Sequence, residues 1–440
     1  MNTEFNINRF KFVQWDITSK CNLNCIHCRS KSFYGSNNLK KDQTTSEVFK
    51  TLDELYNHGV RRIHILGGEP FTRSDITDIA KYAFKKGIVI SINTNGTLIS
   101  SEIADKILDA SIYLITFSLD GPTAEINDKI RGKGVFNKVV NAIKMLDNLR
   151  KSKQKHLRMI VTPVVMRSNI DYLHRMLDIA TELNLDNIIY TNLRRMGGAI
   201  QFYNKMKVST LECIRLIEKA INHSKQVRNK YGRCVHIQPG IVGNPILLYI
   251  NKKYNTNYSI DPGGCTAGYS KGFLQPDGAL FPCQDLAKYA LEINRRNEAE
   301  QSGTKSWMDR KDVEELKTKM FSRKTYNKYK PCSKCPLLLV FCRPCPIAGL
   351  NNRGIYKKEC EIELNYARNN GIDVQQEVNK RLVYSIQDRL VKDPSFRYLF
   401  IKNDMTIFNE YDLNQQQYEE IQIIRDQLLN DVIKAINYCT

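Results

Sequence analysis

The 440-residue chain lacks several things, and each absence narrows its class. It has no uninterrupted apolar run of the roughly eighteen residues that a membrane-spanning helix needs. Its first residues, MNTEFNINRFKF, lack the apolar core of a secretory signal. Acidic residues are in deficit, 46 against 66 lysines and arginines, which leaves a net charge of +20. Such an excess favours acidic partners. Yet no arginine-rich arm or RNA-binding signature accompanies it. Much of the charge is lysine scattered over helix faces, so neither a nucleic-acid nor a membrane partner is expected.

Cysteine, by contrast, is concentrated. Cys21, Cys25 and Cys28 stand as Cys-x3-Cys-x2-Cys in WDITSKCNLNCIHCRS, directly after the strand-like stretch FKFVQWDIT. Three close thiolates can hold three irons of a cubane cluster and leave the fourth open to a small molecule. A zinc loop is the competing reading. Zinc wants four ligands, and His27 lies too near its neighbours to complete a tetrahedron easily.

Downstream, helical and strand-like segments alternate. TSEVFKTLDELYNHG, DITDIAKYAFKKG, SEIADKILDA, GVFNKVVNAIKMLDNL and NIDYLHRMLDIATELN carry apolar residues at helical steps. Between them lie RRIHIL, IVISINTNG, SIYLITFSLDG, LRMIVTPVV and NIIYTNLRR. The alternation predicts parallel βαβ units, about six before residue 200, which is too few for a closed eight-stranded barrel. The fold class expected is α/β, an open, partial (β/α)6 TIM-type barrel. Functional residues of such barrels gather where strands end. At those points stand Gly67–Gly68–Glu69–Pro70, Asn93 and Asn95, Ser118 with Asp120 and Gly121, and Asn192. Taken singly, each is also an ordinary turn residue.

The triplet and these rim motifs together resemble the radical S-adenosylmethionine (SAM) enzymes. The resemblance implies that Cys21, Cys25 and Cys28 hold a [4Fe-4S] cluster whose open iron binds SAM. It further implies that Gly67, Gly68, Glu69 and Pro70 receive the SAM ammonium, that Ser118 and Asp120 serve as ribose and carboxylate contacts, and that Arg131 grips the SAM carboxylate. A planar guanidinium suits that bidentate task. Asn93 and Asn192 are weaker assignments of the same kind. His27 takes the place of an aromatic residue beside the adenine.

A second cysteine array follows: Cys265, Cys283, Cys332, Cys335, Cys342, Cys345 and Cys360. A hairpin signal, Pro276–Asp277–Gly278, precedes Cys283. The array resembles the SPASM extension of radical SAM enzymes, a small cysteine-rich α+β domain with two auxiliary [4Fe-4S] clusters. By that pattern Cys332, Cys335, Cys342 and Cys360 ligate an outer cluster, and Cys265, Cys283 and Cys345 an inner one. The inner cluster then has three cysteines, and its fourth iron is either open or held by another side chain. The middle four are spaced x2, x6, x2 where the family has x2, x5, x3, which puts Cys342 in doubt. A zinc ribbon is the alternative here too, since two Cys-x2-Cys pairs make a four-thiolate site. Cys213, Cys234 and Cys439 read as free thiols. Cluster-bearing thiolates need a reducing compartment, so a cytoplasmic location is expected.

The boundaries expected are a barrel over 10–215, a bridging region over 216–260, a cluster domain over 261–365 and a helical C-terminal tail over 366–440. The resemblance implies three [4Fe-4S] clusters, SAM as co-substrate, and ferredoxin or flavodoxin as electron donor. It ranks a peptide or protein first as substrate. There is no room for a leader-binding domain before the cysteine loop, so the tail or a separate leader-binding protein would have that role. Tetrapyrrole tailoring is second, because CNLNCIHCRS looks like the loop of haem-biosynthetic relatives. Oxidation of a sulfatase-type serine or cysteine is third. An iron–sulfur electron carrier without catalysis is the reading from another class, and GGEP and SLDGP argue against it.

Overall fold

The computed structural model describes residues 11–30, 41–232, 235–260, 271–281 and 355–381, residues 283, 284 and 287, and scattered positions from 400 to 430. The strands are β1 (Phe12–Asp16), β2 (Arg62–Leu66), β3 (Val89–Thr94), β4 (Leu114–Phe117), β5 (Arg158–Val161), β6 (Val164–Val165), β7 (Asn187–Ile189), β8 (Thr191–Asn192), β9 (His236–Gln238), β10 (Lys271–Leu274) and β11 (Leu280–Phe281). The α-helices between them are α1 (Thr45–Asn57), α2 (Ile76–Lys85), α3 (Ser101–Asp109), α4 (Ala124–Arg131), α5 (Val135–Ser152), α6 (Met176–Glu182), α7 (Tyr203–Met206), α8 (Thr210–Tyr231), α9 (Asn244–Tyr254) and α10 (Ile355–Asn369).

The main sheet runs β11-β10-β1-β2-β3-β4-β5-β7-β9, and every pairing in it is parallel except β10 with β11. All six strands read from the sequence before residue 200 form, in the order of an open (β/α)6 barrel. Two further strands extend that series. β9 joins β7 from the expected bridging region, and β10 joins β1 from the expected cluster domain. A short separate pair, β6 with β8, lies just beyond the ends of β5 and β7.

Alternation along the strands sorts two faces. Val13, Trp15, Ile63, Ile65, Ile90, Ile92, Ile115 and Phe117 share one face and are buried. The other face at the same levels carries Gln14, His64 and Ser91, paired in register across β1, β2 and β3. Burying an aliphatic side chain of this kind contributes about 1.5–3 kcal/mol, so the apolar face holds the sheet's pairing in register.

Helix starts follow their caps. Thr44 and Glu47 form a capping box at α1, Ser209 and Glu212 form another at α8, and the Ser100 hydroxyl accepts from Ile103 N–H at α3. One element differs from its sequence pattern. The helical reading of NIDYLHRMLDIATELN places its start near residue 169, but α6 begins at Met176. The fully buried Asn169 is the reason. Its side chain accepts from Met166 N–H (2.8 Å) and donates to Asp120 O (2.8 Å) and Val164 O (2.9 Å), which commits the preceding turn to a loop.

The chain divides into two compact units, 1–242 with 266–313, and 243–265 with 314–440. In the second, α9 and α10 pack together. Gly243 N–H donates to Glu363 (2.9 Å), Lys252 Nζ donates to Gly371 O (2.7 Å), and Tyr249 meets Tyr366 edge-on. No helix among the described residues is long and apolar enough to cross a membrane.

Candidate active site

The loop after β1 begins as an extension of the sheet. Ile17 N–H donates to Leu66 O, Gly68 N–H to Thr18 O (2.9 Å) and Glu69 N–H to Lys20 O (2.8 Å), so the β1–β2 ladder runs on into the cysteine loop. Gly67 has φ +133°, a conformation side chains avoid, and a methyl group there would stand 2.5 Å from Thr18 O. A methyl group on Gly68 would collide with the Lys20 carbonyl. The two glycines therefore seat the backbone that leads to Cys21.

Glu69 turns inward and is almost wholly buried. Its Oε1 accepts from Thr94 Oγ1 (2.7 Å) and Phe71 N–H (3.1 Å), and its Oε2 accepts from Asn95 N–H (2.7 Å). Burial pushes its carboxyl up to about 7 against the pull of these donors. Asn95 continues the chain of contacts by donating to Asn22 Oδ1 (2.8 Å), inside the cysteine loop. Thr18 and Ser19 are tied from the other side by Asp42, which accepts from Thr18 Oγ1 (2.6 Å) and Ser19 N–H (3.0 Å).

Cys21 is exposed, Cys25 buried and Cys28 between the two. Ile26 N–H donates to Ile130 O at the end of α4, and Cys28 N–H donates back to Cys25 O. Beside Cys25 lies the guanidinium of Arg131, with Nη1 4.0 Å from its Sγ. Arg131 Nε is 2.8 Å from Asp120 Oδ2, and His27 Nε2 approaches the same oxygen at 3.4 Å. Asp120 is fully buried, and its Oδ1 accepts from Val164 N–H (2.8 Å). Burial raises the Cys25 thiol, while the Arg131 charge opposes the rise and favours thiolate.

Of the residues read from the sequence, Cys25, His27, Asp120 and Arg131 thus meet in one buried cluster. Gly67, Gly68, Glu69 and Pro70 close the adjoining side. Ser118 and Asn93 are half-buried. Asn192 is exposed on β8. Cys283 follows β11 and Cys360 lies in α10, while Cys265, Cys332, Cys335, Cys342 and Cys345 fall outside the described residues.

Among the described residues no three His, Cys, Asp or Glu side chains converge on a single ion. A cubane gives each iron its own thiolate, so its ligands stand apart around the cluster. Three thiols on one loop, one of them beside a fixed guanidinium, fit such a group.

The comparisons agree with this geometry. Residues 15–180 match the radical SAM superfamily. This part of the chain is a radical SAM domain. The AdoMet-dependent heme synthase of Methanosarcina barkeri is 27% identical over 322 residues, 71% of this chain and 88% of that protein. The mycofactocin maturase MftC of Mycolicibacterium smegmatis is 34% identical over 194 residues, 44% of this chain and 47% of that one. The PqqA peptide cyclase of Bradyrhizobium diazoefficiens is 25% identical, over 62% of this chain and 66% of its own length. The chain thus spans most of the haem synthase but about half of the mycofactocin maturase. Among solved structures, Streptococcus suis SuiB bound to S-adenosylmethionine superposes with a TM-score of 0.58 at 19% identity, covering 76% of this chain and 72% of its own. The anSMEcpe structure with bound AdoMet gives 0.52 at 15% identity, over 82% and 99%. These likenesses show the fold, and the match to the radical SAM superfamily lies in residues 15–180.

Sequence reasoning missed three parts of the site. Thr94 is a partner of Glu69 that no motif marked, and Asn95, read only as one of the rim residues, is another. Gly197 and Gly198 press on the cysteine loop, and their signal was a glycine pair following a strand-like run. Asp42 anchors Thr18 and Ser19, and nothing in its sequence context marks it.

Proposed function

We propose that this chain is a radical SAM enzyme acting on a peptide or protein, with Cys21, Cys25 and Cys28 as the ligands of its SAM-binding [4Fe-4S] cluster. The observation that carries the reading is the cysteine loop itself, seated by Gly67 and Gly68 and backed by the Arg131–Asp120 pair. When bound and reduced, the cluster and SAM supply a deoxyadenosyl radical that removes a hydrogen atom from substrate. The protein's own part is to hold, orient and shield. Arg131 lowers the cost of a thiolate at buried Cys25. Ser118 and Asn93 present a hydroxyl and an amide at the ends of β4 and β3, within the rim where the nucleoside and amino-acid parts of SAM would lie. Glu69 Oε2 accepts one hydrogen bond from the protein, which leaves acceptor capacity for an ammonium.

The auxiliary array is part of the same proposal: Cys332, Cys335, Cys342 and Cys360 for one [4Fe-4S] cluster, and Cys265, Cys283 and Cys345 for the other. A ferredoxin or flavodoxin would deliver the electron. Peptide maturation is supported by the mycofactocin maturase and PqqA cyclase relatives. A tetrapyrrole substrate is the second reading. It is favoured by the coverage of the haem synthase and by a charge of +20, which suits a polycarboxylate.

Anaerobic reconstitution with dithionite and SAM tests the reading. Deoxyadenosine should form, and the Cys21→Ala/Cys25→Ala/Cys28→Ala variant should make none while losing about four irons. Stoichiometric zinc, or clusters without SAM cleavage, would overturn it. Supplying a porphyrin or a candidate precursor peptide, and following the mass of each, separates the two substrate classes.

A further inference from the structure

The cysteine loop is pressed from a second direction, by a segment outside the motifs read from the sequence. After β8 the chain runs through Met196, Gly197, Gly198 and Ala199, a short 3-10 turn. Gly198 N–H donates to Cys28 O at 2.9 Å. A methyl group on Gly198 would stand 2.6 Å from Ile26 O and 3.5 Å from Cys25 O. One on Gly197 would collide with the Cys28 carbonyl and stand 2.7 Å from Arg29 O, and Gly197 also holds φ +56°. Backbone therefore lies on backbone from Cys25 to Arg29, with no space for a side chain between them.

The outer side of the segment is anchored as well. Met196 is buried with Phe273, Phe281 and Ala287. Phe273 and Phe281 pair across the β10–β11 hairpin, and Ala287 N–H donates to Cys283 O at 3.0 Å. The one segment thus touches the triplet loop on one side and, on the other, the hairpin that leads to Cys283.

The geometry points to Met196–Gly198 as a positioning element for the SAM-cluster loop: Gly197 and Gly198 fix the carbonyls of Cys25–Arg29, and Met196 braces them against the hairpin before Cys283. These residues touch no reacting atom and act through Cys25 and Cys28. The inference rests on the reading of the triplet as cluster ligands, and its test separates the two.

The Gly198→Ala chain, reconstituted anaerobically, should lose most of its triplet-bound iron or show a changed electron paramagnetic resonance spectrum of the reduced cluster that SAM no longer shifts. Gly232→Ala is the control. Gly232 is left-handed, at φ +71°, as Gly198 is not, and nothing lies within 4 Å of where its methyl group would stand. It therefore carries backbone strain without the collision, and should keep wild-type iron and spectrum. Met196→Ala removes the brace without any clash, and should release iron to a chelator several-fold faster while its circular dichroism stays native. It decides the matter if Gly198→Ala fails to fold. Wild-type spectra and chelation rates in both folded variants would overturn the inference, as would a wild-type rate in Met196→Ala alone when Gly198→Ala does not fold. If the triple-cysteine variant retains its iron and spectrum, the reading of the triplet fails instead.

Discussion

At the residue scale, the site depends on buried charge that is answered at close range. Asp120 has no exposure and Arg131 little, and their 2.8 Å contact sits against Cys25. Removing one partner leaves the other buried and unpaired, which costs about 3–5 kcal/mol. Arg131→Ala should therefore lower stability by about that amount in denaturant titration. The double variant Asp120→Asn/Arg131→Met should recover part of the loss while remaining poor at holding iron. Glu69 makes a second case. Its three donors are two backbone N–H groups and a hydroxyl, so Glu69→Gln sets an amide N–H2 against at least one donor. A cost of about 1–3 kcal/mol follows for a donor left unsatisfied, visible as a lower melting temperature. Arg131 and Glu69 stood out in the sequence because their motifs are distinctive. The partners of Asp120 did not, because Val164 and Asn169 come from elements whose approach no local pattern reveals.

At the element scale, helix α8 shows how a terminus is fixed. Ser209 and Glu212 satisfy each other's backbone N–H groups, and Arg167 pairs with the Glu212 carboxylate. The Arg167 hydrogen bonds, then those of Ser209, hold the Glu212 carboxyl down at about 2. A depressed carboxyl contributes stability above its unfolded value of 4.5 and loses it as pH falls toward 2. Glu212→Gln should thus be less stable than wild type near neutral pH, by about 1 kcal/mol because the pair is largely solvated. Urea melts at several pH values should show that difference shrink between pH 4.5 and 2. Elements with caps and a clean apolar stripe, such as α1, α3 and α5, were legible in sequence. The strand order was legible too, because parallel βαβ units leave few topologies open. The start of α6 was not, since the side chain of Asn169 outweighed an intact helical periodicity. Nor was the descent of β9 and β10 onto the sheet edges, where short strands from distant segments carry no periodic signature of partnership.

At the scale of the whole molecule, the sheet joins what the chain keeps far apart. β1, which delivers the cysteine loop, lies between β2 and β10, with Phe12 beside both Arg62 and Lys271. The residues 15–180 that define the domain therefore do not include a neighbour for one side of its first strand. A chain ended after residue 242 should fold its helices yet expose the β1 edge, and should elute as aggregates in size-exclusion chromatography where the full chain does not. The same pairing sets a schedule during synthesis. The thiols emerge before β10, and their strand waits unpaired on one edge until about 260 further residues have been made. A cell making this protein must therefore shelter both a naked strand and three reactive sulfurs over that interval, so chaperone and iron–sulfur delivery face the same span of synthesis.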